Sequence, residues 1–254
     1  MISLEDYQRH LHYLPYAGPE IVLKNLSVQF QKSTVLNNLN LRFAAGKTTA
    51  IIGPNGSGKS TLLKTLLGQF THEGEIALHW QNAVQRHIAY VPQHIDFDRE
   101  LPMNEEDFMG MLLQKRPIFL GLAKQQKAMI HFLLHKVQMF EKRKTKIGRL
   151  SGGELKRMLL IQALYPEAGL FLFDEPLASL DESGIALFKE LIRELQAMNK
   201  TVIWVEHDLL AVREYAQDIV AINRQIIYQG DAAALSDSEL LLNIFSHKQE
   251  SPHV

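Results

Sequence analysis

The chain has 254 residues, of which 46% are hydrophobic, 22% charged and 8% aromatic, a composition that predicts a folded globular protein and excludes a disordered one. Its 27 lysines and arginines nearly balance its 28 acidic residues, so it lacks the basic excess that is typical of nucleic-acid-binding proteins. It has no cysteine, which excludes disulfide bonds and cysteine-ligated zinc or iron–sulfur sites.

Residues 1–20 are predicted to be an N-terminal extension, because Gly18-Pro19 is a typical boundary. The extension has early acidic residues and no apolar core, so it is not interpreted as a secretory signal. Its His10 and His12 are interpreted as exposed surface residues rather than as a metal sensor. Since no uncharged apolar run approaches the roughly 18–20 residues that cross a bilayer, we expect a soluble chain that reaches a membrane only through a partner.

The sequence predicts short strands from β-branched and apolar residues in partial alternation. They cover residues 21–30, 34–43, 48–52, 75–80, 87–91, 170–173, 201–205 and 218–222. From about 96 to 164 the sequence favours helices and shows no convincing strand. A later helical span has an apolar face at helical spacing, formed by Phe188, Leu191, Ile192 and Leu195. The alternation of strands and helices predicts a mostly parallel sheet covered by helices.

Residues 53–60 match the pattern G-x-x-x-x-G-K-[ST] between a predicted strand and a predicted helix. Glycines allow backbone N–H groups to surround phosphate oxygens, Lys59 brings a positive charge to the β- and γ-phosphates, and Ser60 offers a hydroxyl to Mg²⁺. A glycine-rich turn that fits by chance is the alternative, but the strand–loop–helix context favours nucleotide binding. The predicted nucleotide-binding residues here are Gly53, Pro54, Asn55, Gly56, Ser57, Gly58, Lys59, Ser60 and Thr61.

Two adjacent carboxylates, Asp174 and Glu175, follow the apolar strand predicted at residues 170–173. Asp174 at the strand end can reach a metal through its water shell, and Glu175 points the opposite way if strand geometry continues. The pair can therefore divide metal support and general-base activation of the attacking water. A strand-end turn explains the pair taken alone, but its place after a phosphate-binding pattern favours the catalytic interpretation.

Residues 150–154 have the sequence LSGGE. Ser151 and Glu154 have the spacing of a capping box before an apolar helix, which needs no function to explain it. The same geometry exposes a helix N-terminus next to Gly152 and Gly153, which can bind an anion. The two interpretations are compatible.

At these residues the chain resembles the ABC-transporter ATPases, whose signature is LSGGQ or LSGGE and precedes the Asp-Glu strand. The resemblance covers about residues 21–230. It implies an α/β fold, namely a P-loop nucleotide-binding core (ABC cassette) with an antiparallel β subdomain and an inserted helical subdomain. The implied organisation is one ATPase domain over 21–235, with the helical subdomain at about 96–164, followed by a C-terminal helix and tail at 236–254.

Single residues match this family in order. Gln93 resembles the glutamine that contacts Mg²⁺ and the attacking water, and His207 resembles the switch histidine that contacts the γ-phosphate. Asp181 resembles the acidic residue of the loop that crosses to the partner subunit, and Phe30 resembles the aromatic that stacks on adenine. Taken singly, each has a simple explanation, such as a strand-end polar residue, a helix cap or a core aromatic, but their joint occurrence favours the functional one.

The resemblance implies a mechanism in which neither subunit holds a complete site. ATP bound by Lys59 and Ser60 of one subunit is closed by Ser151, Gly152 and Gly153 of the other. We therefore expect a homodimer on the cytoplasmic face of the membrane, peripheral to permease subunits and served indirectly by a substrate-binding protein, with no nucleic-acid partner.

The cofactors implied are ATP and Mg²⁺. The expected magnesium ligands are Ser60, Gln93 and Asp174, and the expected catalytic residues are Glu175, His207 and Gln93.

A cluster of flexible apolar residues after Gln93 is the expected permease contact, since such side chains suit a groove for a partner helix. Core packing explains the cluster equally well, and both interpretations stay open. Its members are Met103, Phe108, Met109, Met111, Leu112 and Leu113.

Residues 90–102, with the sequence YVPQHIDFDRELP, resemble the corresponding segment of zinc and manganese importer ATPases. Glu154 in the signature points the same way, whereas Asn104, Glu105 and Gln162 depart from the subgroup pattern. The sequence thus predicts a divalent-metal importer ATPase, with an importer of iron–siderophore or amino acid as the main alternative.

Two other classes are disfavoured. DNA-repair relatives insert long coiled coils and translation relatives carry two cassettes, and this chain shows neither feature. A nucleotide-binding regulator without turnover has no need of a base at Glu175.

Overall fold

In the computed structural model, which describes residues 17–31, 33–81, 86–93, 100–113, 117–163 and 168–246, the strands form two sheets. The strands are β1 (Glu20–Phe30), β2 (Ser33–Phe43), β3 (Thr48–Ile52), β4 (Glu73–His79), β5 (His87–Val91), β6 (Ala168–Asp174), β7 (Thr201–Val205), β8 (Asp218–Asn223) and β9 (Gln225–Asp231). His10 and His12 of the N-terminal extension, which are predicted to be surface residues, lie outside the described residues.

The smaller sheet is antiparallel and has the strand order β2-β1-β4. β1 and β2 form a long pair that runs from Ile21 opposite Phe43 to Phe30 opposite Ser33. Apolar residues of β1 alternate into the core, so one face of the ribbon is buried and the other is exposed. This sheet confirms the expected antiparallel β subdomain.

The larger sheet has the order β5-β6-β7-β3-β8-β9, and all neighbouring pairs except β8–β9 are parallel. Every residue of β3, β6 and β7 is buried, as expected for parallel strands that are covered on both faces. The predicted mostly parallel sheet is therefore confirmed. The edge strand β9 was not predicted, because none of its residues is buried and its pattern is weak.

The described helices are α1 (Lys59–Leu66), α2 (Glu105–Leu113), α3 (Lys124–Lys136), α4 (Gly152–Ala163), α5 (Glu182–Ala197), α6 (Leu209–Tyr215) and α7 (Ser238–Ser246). Four 3₁₀ turns accompany them, at Ile118–Leu120, Phe140–Lys142, Ile147–Arg149 and Ala232–Ser236. No helix among the described residues has the length and apolar character needed to cross a membrane.

The apolar face predicted for α5 is buried against the large sheet. The ring of Phe188 meets Phe173 of β6 edge-on, with centroids 5.2 Å apart, and Trp204 of β7 at 5.5 Å. Aromatic rings favour such edge-to-face contacts. The packing fixes the carboxyl ends of β6 and β7, where the site residues begin.

Between residues 100 and 163, the described segments 100–113 and 117–163 contain helices and no strand, as the sequence predicts. An isolated bridge between Asn104 and Lys146 joins the start of α2 to the segment before α4. These described segments are called the helical region below. Its core holds Met109, Ile130, Leu134 and Met158, all completely buried.

Candidate nucleotide-binding and hydrolysis site

The phosphate loop, residues 53–60, joins the carboxyl end of the central strand β3 to α1. Gly53 has a φ of 144°, and a Cβ there would lie 2.1 Å from the carbonyl oxygen of Ile222 on β8. Only glycine fits this position, because the neighbouring strand approaches so closely. Directly after the same strand, Arg224 donates its backbone N–H to the carbonyl of Ser57 at 2.9 Å. The loop is thus shaped by the sheet beside it.

Lys59 lies inside the phosphate loop and is only 5% exposed. Its Nζ donates hydrogen bonds to the carbonyl oxygens of Gly53 and Pro54, both at 2.9 Å. Burial lowers the pKa of Lys59, and the negative charges of Glu175 and Asp174 partly oppose that effect. The loop also encloses the hydroxyl of Ser57, which is buried and has no hydrogen-bond partner among the described residues. A cation and a free donor inside one loop suit an anionic ligand.

Ser60 connects the phosphate loop to the end of β6, since its Oγ donates to Asp174 Oδ1 at 2.9 Å. Asp174 is almost fully buried. Burial raises the pKa of this carboxyl, and the hydrogen bond from Ser60 works against the rise. A hydroxyl and a carboxylate side by side are hard oxygen ligands of the kind that Mg²⁺ prefers, with phosphates and waters completing its shell.

Glu175 does not continue the strand, because β6 ends at Asp174 and Glu175 has a φ of 46°. The sequence predicts that Glu175 points away from Asp174 if the strand geometry continues. Because the strand ends at Asp174, the turn at Glu175, and not strand alternation, separates the two carboxylates. The carboxylate of Glu175 lies between two side chains from other segments. His207 Nε2 is 2.8 Å from its Oε1, and Gln93 Nε2 donates to its Oε2.

The residue before His207 bonds to its backbone, and the residue after it caps the following helix. Glu206 is buried and accepts a hydrogen bond from the backbone N–H of His207 at 2.7 Å. Asp208 caps α6 by accepting from the N–H groups of Leu210 and Ala211. Glu206 was not singled out from the sequence, although a carboxylate next to the histidine and aspartate was a signal for it.

The signature segment, residues 150–154, forms the predicted capping box at the start of α4. The Ser151 N–H donates to Glu154 Oε2 at 2.8 Å, and the Glu154 N–H donates to Ser151 Oγ at 3.3 Å. Ser151 and Gly152 are exposed, and open space surrounds the position of a Cβ on Gly152. A Cβ on Gly153 would instead lie 2.8 Å from the carbonyl oxygen of Ser179. The helix N-terminus thus faces outward, and the segment after β6 packs closely behind it.

Asp181 caps α5 by accepting a hydrogen bond from the Gly184 N–H at 2.9 Å. Arg157 of α4 donates to the same carboxylate and to Ser183 Oγ at 2.6 Å. The Asp181 side chain is therefore engaged within its own chain and connects the signature helix to α5.

Phe30 ends β1 and is 40% exposed, with its ring edge-on to Phe70 at a centroid distance of 4.9 Å. The ring is available at the surface rather than enclosed in the core. Among the flexible apolar residues that the sequence offers as a permease contact, Met109 is completely buried, so core packing explains that residue. Met111 is 54% exposed. Met103 and Phe108 pack partly against the core.

Lys156 on α4 is a residue that the sequence analysis missed. Its buried ammonium contacts the backbone of both Gln93 and Glu175. The available signal was its spacing, since Lys156 lies three and four residues before the buried Leu159 and Leu160 and so occupies a core-facing position.

A phosphate loop at the end of a central parallel strand, with a carboxylate at the end of another strand, defines a P-loop nucleotide-binding protein. Comparisons with known proteins identify the family. The ABC transporter family model matches residues 36–178, which is more than half of the chain.

Relatives and solved structures agree with this match. The manganese transport system ATP-binding protein MntB of Halalkalibacterium halodurans is 33% identical over 92% of this chain and 97% of that protein. The zinc import ATP-binding protein ZnuC of Haemophilus influenzae is 34% identical over 91% of this chain and 81% of that protein. A dimeric ATP-binding cassette in a post-hydrolysis state with ADP and phosphate shares the fold, with a TM-score of 0.71 at 21% identity over 84% of this chain and 98% of that one.

The chain belongs to the ABC transporter family and is an ATP-binding cassette that hydrolyses ATP to power transport. The sequence-based prediction of the family, of the cassette fold and of ATPase activity is confirmed.

Proposed function

We propose that this cassette energises the import of manganese or zinc through a separate permease. Support comes from its relatives, which are named manganese transport, zinc uptake and zinc import ATP-binding proteins and match most of its length. The transported ion would pass through the permease and not through this subunit. The described residues contain no group of three or more histidines and carboxylates that could hold a metal ion.

For hydrolysis, the proposed general base is Glu175. The observation that carries this role is the position of its carboxylate, which Gln93 and His207 contact from opposite oxygens. A base must be oriented towards the proton it removes, and two contacts from separate segments fix the orientation. Gln93 then also orients the attacking water, and His207 also contacts the γ-phosphate.

Ser60, Gln93 and Asp174 are the proposed ligands of Mg²⁺. Support comes from the hydrogen bond between Ser60 and Asp174, which brings oxygens of two of these residues together. When bound, the ion would neutralise phosphate charge and support the leaving group. In this proposal Asp174 supports the ion together with Ser60, and Glu175 acts on the attacking water.

The nucleotide would be held by residues 53–61, with adenine stacked on Phe30, whose exposed ring is accessible. Lys59 would exchange its two carbonyl partners for phosphate oxygens, since an anion is the stronger acceptor for an ammonium.

A second copy of the chain completes the site in this proposal. Ser151, Gly152 and Gly153 present an exposed helix N-terminus, which attracts a γ-phosphate bound to the facing copy. ATP then stabilises the homodimer by mass action, and ADP does not. Asp181 would contribute to the nucleotide site of the facing copy, from the loop that follows Asp174 and Glu175. A solved cassette of the same fold is dimeric with ADP and phosphate bound.

The permease is the proposed membrane partner, with the cassette peripheral to it on the cytoplasmic side and a substrate-binding protein delivering the cargo. The proposed docking surface consists of exposed apolar side chains of the helical region, of which only Met111 belongs to the apolar cluster named from the sequence. These side chains are Leu101, Met111, Phe119 and Leu120.

Glu175→Gln tests the hydrolytic and dimeric parts of the proposal together. With ATP and Mg²⁺, the variant is expected to bind nucleotide, to lose turnover by about 100-fold or more, and to elute as a dimer in size-exclusion chromatography. The matched control is the double variant with Lys59→Ala, which is expected to stay monomeric because its phosphate loop lacks the cation. A monomeric Glu175→Gln protein with normal turnover would overturn the assignment.

Gene deletion tests the cargo. Cells without this chain are expected to grow poorly in medium depleted of manganese or zinc, and one of the two metals is expected to restore growth. Complementation with wild-type protein, and not with Glu175→Gln, is the control. Restoration by an iron–siderophore or an amino acid alone would replace the metal assignment with another cargo and leave the ATPase assignment intact.

A further inference from the structure

Lys156 places a charged group in the interior of the molecule, where its side chain is only 5% exposed. Its Nζ donates hydrogen bonds to three backbone carbonyl oxygens: Pro92 at 3.0 Å, Gln93 at 3.1 Å and Glu175 at 3.1 Å. An ammonium has three donors, so these contacts use all of them.

The three carbonyls belong to two segments that carry the hydrolytic side chains. Pro92 and Gln93 directly follow β5, and Glu175 directly follows β6. β5 and β6 are adjacent and parallel, so their carboxyl ends meet at one edge of the sheet. Lys156 comes from a third segment, the helix α4 that begins at the signature segment. One side chain therefore joins all three.

The backbone of Glu175 needs support because its φ of 46° is unusual for a residue with a side chain. Its N–H donates to the carbonyl oxygen of Val205 on β7 at 3.0 Å, and its own carbonyl accepts from Lys156. Both peptide groups of the residue are thus held. This arrangement directs the carboxylate towards Gln93 and His207.

A lysine at this place has a cost that an apolar residue would avoid, because burial of an ammonium is unfavourable. Burial lowers the pKa of Lys156 to about 8, and the nearby negative charges of Asp174, Glu175 and Glu206 work against the decrease. The carbonyl contacts offset the cost, and they all fall on the hydrolytic segments rather than on scaffold residues. The contacts therefore indicate a role in the geometry of the site.

We propose that Lys156 is a positioning residue for ATP hydrolysis, which fixes Gln93 and Glu175 relative to each other and ties both to the signature helix. The inference rests on the proposed role of Glu175 as general base. The Lys156 ammonium bonds to the segments that carry Gln93 and Glu175, so its effect should appear in turnover and not in nucleotide affinity.

Lys156→Met tests this role, because methionine keeps an unbranched chain of similar volume and removes the donors and the charge. We expect kcat to fall at least tenfold while the Kd for a fluorescent ATP analogue changes less than about twofold. Lys156→Arg keeps the charge and the donors and is expected to recover at least a third of the lost activity. Lys124→Met, which changes an exposed lysine at the start of α3, is the control for lost surface charge and should match the wild type.

A double-mutant cycle with Glu175→Gln separates positioning from a general structural role. If Lys156 acts through Glu175, then Lys156→Met lowers the residual single-turnover rate of the Glu175→Gln protein less than about twofold. An equal tenfold loss in both backgrounds, a parallel loss of nucleotide affinity, or a wild-type kcat for Lys156→Met would overturn the inference.

The two proposals fail in distinguishable ways. Full activity of Glu175→Gln by itself removes the proposed base, whereas an inactive Glu175→Gln together with an active Lys156→Met removes only the role of Lys156. Thermal unfolding monitors the fold of each variant. If Lys156→Met does not fold, Lys156→Arg in both backgrounds gives the same cycle, and an equal effect in both contradicts the proposal.

Discussion

The phosphate loop and the signature segment are both built around glycines at a helix N-terminus, yet they differ in what surrounds them. The phosphate loop is enclosed by its own chain: Lys59 is bonded to carbonyls of the loop, and Gly53 touches the backbone of β8. The signature segment faces outward, with Ser151 exposed and open space beside Gly152.

The difference teaches that folding alone completes the phosphate loop, whereas the signature segment stays exposed, as our proposal of a second copy at this site requires. The loop obtains its shape from parallel strands that are buried on both faces. The helical region instead buries charged groups, among them Glu105, Glu106 and Lys156. Of these, Lys156 bonds to the segments that carry Gln93 and Glu175.

The same substitution in the two regions gives the largest expected contrast. Gly53→Ala forces a Cβ to within 2.1 Å of the Ile222 carbonyl oxygen at a φ of 144°, so we expect a loss of more than about 3 kcal/mol in the free energy of unfolding. Gly152→Ala meets no atom and should change the stability by less than about 0.5 kcal/mol. Urea denaturation of both proteins measures the contrast, and equal losses would break it.

The next largest effect is expected at Glu105, whose ionisation makes the stability depend on pH. Its carboxylate is buried with no hydrogen-bond partner among the described residues. Burial, helped by the negative charge of Glu154 and opposed by Lys142, raises its pKa from 4.5 to about 7. The folded state holds the proton more tightly than the unfolded state, so stability falls as the pH rises from about 4.5 to about 7 and stays low above that range.

Glu105→Gln, the neutral isostere, should therefore equal the wild type near pH 4.5 and exceed it by up to about 3 kcal/mol at pH 8. Unfolding midpoints across this range measure the effect. Glu141→Gln, at an exposed position in the same region, is the control and should show no such gain. A stability difference that is the same at every pH would contradict the buried ionisation.

The smallest expected effect is at the cap of the signature helix. Ser151→Ala removes the hydrogen bond to the Glu154 N–H and should cost about 1 kcal/mol of stability. Nucleotide binding to the monomer should not change, because the phosphate loop is complete without this segment. Loss of ATP affinity in the monomeric protein would show that the two regions already interact within one chain.

Much of the fold could be predicted because its signals are local. The bounds of β3, β5 and β7 agree with the prediction, since each is a short apolar or β-branched run. The capping box at Ser151 could also be predicted, because it depends on two residues that are three positions apart.

The sequence by itself determined most of the elements, the phosphate loop and the family, because short-range patterns of apolar, glycine and capping residues encode them. Only the tertiary structure decided that Glu175 leaves the strand at a positive φ and that Lys156 bonds to carbonyls 19, 63 and 64 residues away. Such contacts depend on which strand ends meet, and the polarity of a lysine does not reveal its partners. The physical reason is that a buried charge is stabilised by distant backbone groups that only the packed sheet brings together.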